Sequence, residues 1–439
     1  MSETKLKKEI ILIVPSSSHP VVRLVLRFFL EKSAPFGLFV LSALIPSKYR
    51  VKIFNQKIFW LKRDFIGGAL VGISCSTSNA AQAYKLADRF RQAGSTVIMG
   101  GVHASYFPQE ALLHCDSVVI GEAESVWNQV LEDYDHKCLQ KIYQGTPLED
   151  YFSPVYARFL ELDPKILYRT GILLSRGCKY HCDFCARPFG QLRFVKLEQA
   201  LKLIARMRSG AVCLFGRLPT VIFRDDNLFS SPDYAKKLFK GLISLKVSWT
   251  GNSSIDIAFD EEALALAKAS GCQGLFIGFE TIYPQKLQKT SAGNIRSTGD
   301  YLLAIKKIRS YGIKIIGAFI IGFDYYRHRD YLKLIYFLIK SKLYFISLTI
   351  LTPFPGSALY EQLSQENRIT TLDWRKYDSL QHVVFKPKNM PAWMLQFWFV
   401  IIRIIASFAS PFYIQLLLKT LIAYYAGFYL FSYLTRNFL

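Results

Sequence analysis

The sequence is poor in acidic residues, and this shortage limits the partners that suit the protein. Only 33 Asp and Glu stand against 55 Lys and Arg in 439 residues, which gives a formal net charge of +22. Such a surface attracts nucleic acid, acidic lipid headgroups or phosphorylated molecules, and charge alone does not choose among them. The sequence also contains no internal repeat or low-complexity tract.

Paired cysteines and a secretion signal are missing as well. Of the eight cysteines, five are scattered singly and three are clustered, a pattern typical of a reduced, cytoplasmic protein rather than of a disulfide framework. The charged residues 1–8 are followed by an apolar run of only five residues before Pro15. That run is too short for the core of a signal peptide and predicts a first β-strand.

Short apolar runs alternate with helical stretches over residues 10–135, which predicts a doubly wound, parallel α/β sheet. The predicted strands are residues 10–14, 49–54, 68–74, 96–99 and 117–120. We therefore predict a Rossmann-like N-terminal domain over residues 1–140. Residues 141–168 contain several prolines and little periodicity, and this composition predicts a linker.

A second alternating stretch predicts a partial (β/α)6 barrel over residues 169–390. Its predicted strands are residues 171–176, 220–224, 247–250, 274–279, 313–321 and 345–351. In barrels of this kind the chemistry lies at the carboxyl ends of the strands. A cluster of cysteines follows the first of these strands, so we expect it at the mouth of the barrel.

The C-terminal residues 391–439 contain no acid and many aromatic residues, and their only charges are Arg403, Lys419 and Arg436. The uncharged runs 404–418 and 420–435 are shorter than the roughly 20 residues of a standard membrane span. We predict a helical segment in the membrane interface, or a re-entrant hairpin, on the inner face of the cytoplasmic membrane. A buried helical cap on the barrel and a true membrane span are the alternatives.

The clustered cysteines are Cys178, Cys182 and Cys185, spaced as C-x3-C-x2-C on one loop. Three thiolates can hold three irons of a 4Fe–4S cluster and leave the fourth iron open. His181 as a fourth ligand would instead give a zinc site, but no second pair of ligands accompanies it. A redox sensor or electron carrier would need a fully ligated cluster.

This motif, with the aromatic Phe184 before the last cysteine, resembles the radical S-adenosylmethionine superfamily. The resemblance implies that the open iron binds S-adenosylmethionine and that an electron, from a donor such as flavodoxin or ferredoxin, cleaves it to a 5′-deoxyadenosyl radical. The three cysteines would then be the catalytic metal ligands. Later segments match the superfamily in order, and the resemblance implies cofactor contacts from Phe184, Asp225, Asp226, Glu280 and Gly322.

Glycines and polar residues follow three predicted strands of the N-terminal domain, where they leave room for a bulky ligand. In this order, ahead of a radical core, they resemble a cobalamin-binding domain. The implied contacts are Ser74, Ser76, Thr77, Gly100, Gly101, Val102, His103, Gly121 and Glu122. The Asp-x-His-x-x-Gly signature of the best-known cobalamin proteins is absent, and the corresponding loop offers His19 as a hypothetical cobalt ligand.

The segments around Asn252, Asp256 and Glu280 resemble the branch of anaerobic magnesium-protoporphyrin monomethyl ester cyclase and the hopanoid-modifying enzymes. We predict a cobalamin-dependent radical enzyme that methylates an unactivated carbon of an apolar substrate, such as a lipid, an isoprenoid or a secondary metabolite. Radical oxidation, cyclisation or rearrangement without methylation is the first alternative. A tRNA methylthiotransferase is more remote, because the N-terminal cysteines are far apart and the C-terminus is apolar; no nucleic-acid partner is expected.

Overall fold

The computed structural model describes residues 8–16, 36–55, 67–163, 171–186, 191–209, 220–287 and 295–411. His19 and the last part of the predicted membrane segment, residues 412–439, lie outside the described residues.

In the part of the chain that the structure describes, the N-terminal sheet has six parallel strands. They are β1 (Glu9–Val14), β2 (Arg50–Asn55), β3 (Leu70–Ser74), β4 (Thr96–Gly100), β5 (Ser117–Ile120) and β6 (Ile142–Gln144). Their spatial order is β2-β1-β3-β4-β5-β6, so the direction of winding reverses between β1 and β3. In open α/β sheets a ligand crevice forms at such a switch point, outside the carboxyl ends of the strands.

Helices cover this sheet because its strands are apolar on both faces. The described helices are α1 (Phe36–Leu44), α2 (Ala80–Gln92), α3 (Val102–Tyr106), α4 (Pro108–Leu112) and α5 (Trp127–Asp135). Helix α2 shows why they form where they do: Ala83, Ala87 and Phe90 recur at helical spacing and are fully buried. The chain then turns at Gly94, whose positive φ of 83° suits glycine.

The stretch predicted as a linker, residues 141–168, has more structure than its composition indicates. Strand β6 pairs in parallel with β5 from Val118↔Ile142 to Ile120↔Gln144, and helix α6 (Ser153–Glu161) follows. Three residues of strand are too few to show an alternating pattern, so the sequence carries no signal for β6.

The second half forms the predicted open barrel. Its strands are β7 (Ser175–Arg176), β8 (Arg193–Phe194), β9 (Thr220–Ile222), β10 (Ser248–Ser253), β11 (Cys272–Glu280), β12 (Lys314–Ile321) and β13 (Phe345–Ile350). Its helices are α7 (Leu197–Ser209), α8 (Pro232–Leu245), α9 (Glu261–Ala269), α10 (Thr298–Ser310), α11 (His328–Ser341) and α12 (Ala358–Gln365). Strands β9 to β13 lie side by side in sequence order and in parallel. The predicted fold class is thereby confirmed.

The predicted first barrel strand, residues 171–176, divides into two parts. Ile172 forms a parallel bridge to Phe223 beside β9 and so adds a sixth position to the barrel. The next residues form β7, which turns away and pairs in an antiparallel manner with β8. The cysteine motif lies in the loop between β7 and β8.

The chain returns to the N-terminal domain after the barrel. Trp374, Tyr377 and Val384 belong to the buried core on one face of the first sheet, and the Trp374 indole donates a hydrogen bond of 2.9 Å to Glu110. The two domains therefore share a core, an arrangement that no sequence pattern indicates.

Helix α13 (Ala392–Ala409) ends the described chain and packs on the barrel through Leu395, Phe399, Ile402 and Ala406. By length and composition it is the one helix in the described ranges that could cross a membrane. It ends at Ala409, two residues before Pro411.

We expect Gly356→Ala to lower the midpoint of thermal unfolding. Gly356 has a φ of 85°, and a Cβ there would lie 1.8 Å from the Tyr106 ring of the other domain. Backbone strain and displacement of that ring should together cost about 2 kcal/mol. Circular dichroism on the purified chain measures the change. In the control, Gly37→Ala within α1, the added Cβ meets nothing within 4 Å; this variant should be no less stable than the wild type, and an equal loss in both would contradict the argument.

Candidate active site

The three cysteines of the β7–β8 loop line one cavity of about 440 Å³ at the mouth of the barrel. Cys185 is exposed, and Cys178 and Cys182 are half-buried. Within the described residues, no three His, Cys, Asp or Glu side chains already converge as a metal-ligand set. The donor chemistry nevertheless fits a cluster, because three thiols on one loop face the same cavity.

The opposite wall of the cavity is built from the carboxyl ends of three barrel strands, as barrel architecture requires. The polar residues of this wall are Asp226, Asn227, Asn252, Ser253, Ser254 and Glu280. Glu280 has a φ of 63°, which is rare outside glycine, and it follows an irregularity in the β11–β12 register. The strand end is thus bent where its carboxylate lines the cavity. Phe184 belongs to the same lining.

Asn227 carries a polar group without a partner in the described structure. Its Oδ1 accepts hydrogen bonds from the backbone amides of Phe229 and Ser254, at 3.1 and 2.9 Å, so the side chain is held in one orientation. Its Nδ2 is buried without a partner, although the residue lines the cavity. An unsatisfied buried donor is costly, and a carboxylate of S-adenosylmethionine would satisfy it.

Asp225 and Asp226 are adjacent in sequence, but their side chains lie in different environments. Asp226 lines the cavity, whereas Asp225 is fully buried and accepts hydrogen bonds from the Ser175 hydroxyl at 2.6 Å and the Leu174 amide at 3.1 Å. Burial raises the pKa of Asp225 to about 6, although these hydrogen bonds oppose the shift. The structure therefore places Asp225 beneath the cysteine loop, where it holds the strand that leads into the loop.

Asp256 holds the cysteine loop from the other side. The Tyr180 hydroxyl donates a short hydrogen bond to its carboxylate, Lys179 lies 3.6 Å from the same oxygen, and Ser254 donates to it at 3.0 Å. The loop is thus tied to the segment that follows β10.

A second cavity of about 250 Å³ adjoins the first, and Cys182 and Phe184 line both. Here Phe323 and Tyr325 stack with ring centres 5.2 Å apart. Gly322 itself packs against helix α13, because a Cβ on it would lie 2.8 Å from Leu395. The structure thus places Phe323, rather than Gly322, in this cavity.

The predicted cobalamin-binding loops come together at the carboxyl edge of the first sheet. The Cys75 amide bonds the Gly100 carbonyl at 2.7 Å, and the Gly121 amide bonds the Ser105 hydroxyl at 3.1 Å. Of the predicted contacts, Ser76, Val102 and Gly121 are exposed along this edge, and Ser74, Gly100 and Gly101 are half-buried. A continuous edge of small side chains fits a large flat ligand.

His103 and Thr77 lie inside the protein rather than on that edge. The His103 ring is fully buried, 3.4 Å from the Thr77 hydroxyl and packed edge-on against Trp374. Burial lowers the pKa of His103, although Glu110 nearby opposes the shift. The structure therefore gives His103 a place in the contact between the domains.

Glu122 joins the domains. Both its oxygens are bonded by Arg193, at 2.5 and 3.0 Å, and Arg176 lies 3.2 Å away. Arg176 in turn bonds Glu124 at 2.5 Å. We call these four side chains the Arg–Glu clasp. Each is at most 20% exposed, and Arg176 and Arg193 flank the cysteine loop on paired strands. The clasp therefore ties the cysteine loop to the Gly121 turn.

Comparison with known proteins agrees with both halves of this geometry. The Radical SAM superfamily profile matches residues 172–338, and the B12 binding domain profile matches residues 35–131. Bacteriochlorophyllide d C-12(1)-methyltransferase from Chlorobaculum tepidum is 30% identical over 82% of this chain and 79% of its own length. This chain belongs to the cobalamin-dependent radical S-adenosylmethionine methyltransferases. It is an enzyme whose cofactors are a 4Fe–4S cluster, S-adenosylmethionine and cobalamin.

Two further proteins are similar to this chain, one in sequence and one in fold. Hopanoid C-2 methylase from Rhodopseudomonas palustris is 24% identical over 78% of this chain and 66% of its own length. The structure of the methyltransferase TsrM from Kitasatospora setae, with cobalamin and a [4Fe-4S] cluster bound, has a TM-score of 0.63 and 15% identity over 82% of this chain and 75% of its own. At that identity the likeness shows a shared fold.

Several residues of the site carry no clear sequence signal. Arg176 directly precedes the Gly-Cys step of the motif, which could have drawn attention to it, but Arg193 stands outside any motif. Asn227 follows the predicted acids and could have been grouped with them. Ion pairs between domains depend on docking, and docking leaves no local pattern.

We expect the stability difference between Asp225→Asn and the wild type to depend on pH. The folded carboxyl keeps its proton up to about pH 6, whereas the ordinary Asp value is 3.8. The free energy of unfolding of the wild type should therefore fall as pH rises from about 4 to about 6. The fall should be about 3 kcal/mol relative to the variant, whose substituted side chain cannot titrate. Urea unfolding of the cluster-free chain at several pH values measures the difference. Asp233→Asn on exposed helix α8 is the control, and parallel curves for wild type and Asp225→Asn would contradict the argument.

Breaking the Arg–Glu clasp should destabilise the chain. Glu122→Gln leaves two largely buried arginines with one acid, and we expect a loss of about 2–3 kcal/mol. Arg193→Gln should cost a similar amount, and the double variant less than the sum, since the two side chains share one interaction. Glu261→Gln, which breaks an exposed pair with Lys307, should leave the free energy of unfolding nearly unchanged. Additive losses in the double variant would show that the clasp is not a coupled unit.

Proposed function

We propose that this methyltransferase transfers a methyl group to an unactivated carbon of an apolar polycyclic substrate. The observation that carries the proposal is the Arg–Glu clasp, which holds the cysteine loop against the Gly121 turn of the cobalamin-binding domain. Methyl transfer to carbon needs radical formation and methyl donation at one substrate, so the two cofactor sites must lie close together.

The polar wall of the larger cavity suits S-adenosylmethionine. When bound, the cluster supplies the electron that cleaves the sulfonium, and cobalamin supplies the methyl group. The chain's own residues position the molecule: Asn227 offers its free amide N–H to the carboxylate, and Asp226 and Glu280 offer acceptors to the amino group and the ribose. The stacked pair Phe323 and Tyr325, beside Phe184, offers an aromatic surface to the adenine.

The substrate class is inferred from the relatives and from the chain's apolar character. The relatives act on a bacteriochlorophyllide and on hopanoids, which are both large, apolar ring systems. Such substrates favour an enzyme that works at a membrane surface. We propose that residues 391–439 contact the inner face of the cytoplasmic membrane and that a flavodoxin or ferredoxin supplies electrons.

Anaerobic reconstitution with iron, sulfide, cobalamin and S-adenosylmethionine tests the proposal. With a lipid or pigment extract as substrate, we expect 5′-deoxyadenosine, S-adenosylhomocysteine and a product heavier by one methylene, all measured by mass spectrometry. Cys182→Ser should abolish the product, because it removes one of three cluster ligands. Cys138→Ser, an exposed cysteine outside the cavity, is the matched control and should behave as the wild type.

The two products derived from S-adenosylmethionine, 5′-deoxyadenosine and S-adenosylhomocysteine, separate the alternatives. 5′-Deoxyadenosine without S-adenosylhomocysteine would point to radical oxidation, cyclisation or rearrangement. Absence of 5′-deoxyadenosine in folded, iron-loaded and cobalamin-loaded chain, with every class of apolar extract, would refute the proposed chemistry.

A further inference from the structure

Exposed apolar side chains are concentrated on two neighbouring helices of the barrel wall. Of sixteen large apolar residues exposed in the described structure, eight lie on α11 and α13. They are Leu332, Tyr336, Ile339, Trp393, Phe397, Val400, Ile404 and Phe408. The helices pack together through Tyr331 and Trp398, whose rings stack at 5.3 Å. We call these eight residues the α11–α13 face.

On each helix the exposed residues form a single stripe. On α13 they recur every three or four residues, opposite the side that packs on the barrel through Leu395 and Phe399. On α11 the stripe is Leu332, Tyr336 and Ile339, between 53% and 64% exposed. Soluble helices normally turn polar residues outward, so these stripes mark a binding surface.

Charges on the two helices are almost entirely positive. Arg329, Lys333 and Lys340 follow the stripe of α11 along one side, and Arg403 is exposed on α13. Asp330, the one acid on either helix, is buried and accepts a hydrogen bond from Tyr283 at 2.5 Å. Asp330 also lies 4.0 Å from Arg329 and 3.7 Å from Lys333, so it offsets part of their charge. The face therefore combines apolar stripes with a net positive charge.

We infer that the α11–α13 face docks on the surface of an anionic lipid bilayer, so that membrane contact extends from residues 391–439 to the barrel wall itself. The inference deepens the membrane contact of the proposed function. Its chemistry selects lipid, because apolar side chains enter the headgroup region while flanking lysines and arginines meet anionic headgroups.

Charge argues against the two other occupants. A second copy docked through the same face would bring Arg329, Lys333 and Lys340 of both chains together, and like charges repel. Residues 412–439 of the chain itself contain Lys419 and Arg436 but no acid, so they cannot neutralise the lysines of α11. An anionic bilayer supplies the negative charge that a second copy of the face and residues 412–439 both lack.

Vesicle co-sedimentation of the full chain, without S-adenosylmethionine or cobalamin, tests the inference independently of catalysis. Vesicles of phosphatidylglycerol and phosphatidylcholine in equal parts are compared with phosphatidylcholine alone. We expect the wild type to bind the anionic vesicles more strongly. The double variant Lys333→Gln/Lys340→Gln should bind them roughly thirty-fold more weakly. The triple variant Leu332→Ser/Tyr336→Ser/Ile339→Ser should bind the anionic vesicles at least about ten-fold more weakly than the wild type.

Matched controls lie outside the face. Leu113→Ser/Leu372→Ser replaces two apolar residues that are at least 62% exposed elsewhere, and Lys240→Gln removes an exposed lysine of α8; both should bind as the wild type. Unchanged thermal midpoints show that each variant is folded. The inference would be overturned if both α11 variants bound anionic vesicles as strongly as the wild type. It would also be overturned if the wild type bound the two vesicle types equally, or bound neither. A dimer in sedimentation velocity that the triple variant abolishes, without vesicle binding, would assign the face to a second copy.

Discussion

The geometry of the site depends on the neutralisation of two arginines that have been placed side by side. Arg176 and Arg193 are direct cross-strand partners on β7 and β8, where like charges repel. Glu122 and Glu124, which come from the other domain, compensate them in a largely buried setting. The docked N-terminal domain therefore stabilises the hairpin that frames the cysteine loop, through these four charges.

Two carboxylates complete the support of the cysteine loop, and they act from different depths. Asp225 binds the strand before the loop from within the core, and Asp256 binds Tyr180 and Lys179 of the loop itself near the surface. Burial is unfavourable for the charged form of Asp225. Its hydrogen bonds therefore position the strand before the loop rather than add to the stability of the fold. The strand before the loop and residues 179–180 within it are thus both held in place, while the three cysteines line the cavity.

The sequence predicted most of the strands and helices and the placement of the cysteines, because periodicity and a compact motif are local properties. Strands such as residues 117–120 coincide with the observed β5, since a continuous apolar run between polar turns has few other solutions. What the sequence could not predict depends on distant contacts. Glu122 follows a glycine at a strand end and so suggests a ligand contact, but its oxygens are bonded by arginines. His103 follows a double glycine and is buried beneath Trp374, which lies more than 250 residues away in the chain.

Helix α13 connects the apolar surface of the barrel with its catalytic mouth. Leu395, near the start of the helix, packs on Gly322 at the carboxyl end of β12, and the next residue, Phe323, lines the aromatic cavity beside Cys182. The opposite side of the same helical turns exposes Trp393 and Phe397. Only the thickness of one helix, about 10 Å, separates that exposed surface from the segment that reaches the cavity. An apolar ring system dissolved in a bilayer against α13 would thus have a short path to the barrel mouth, whereas the same molecule would be nearly insoluble in the surrounding water.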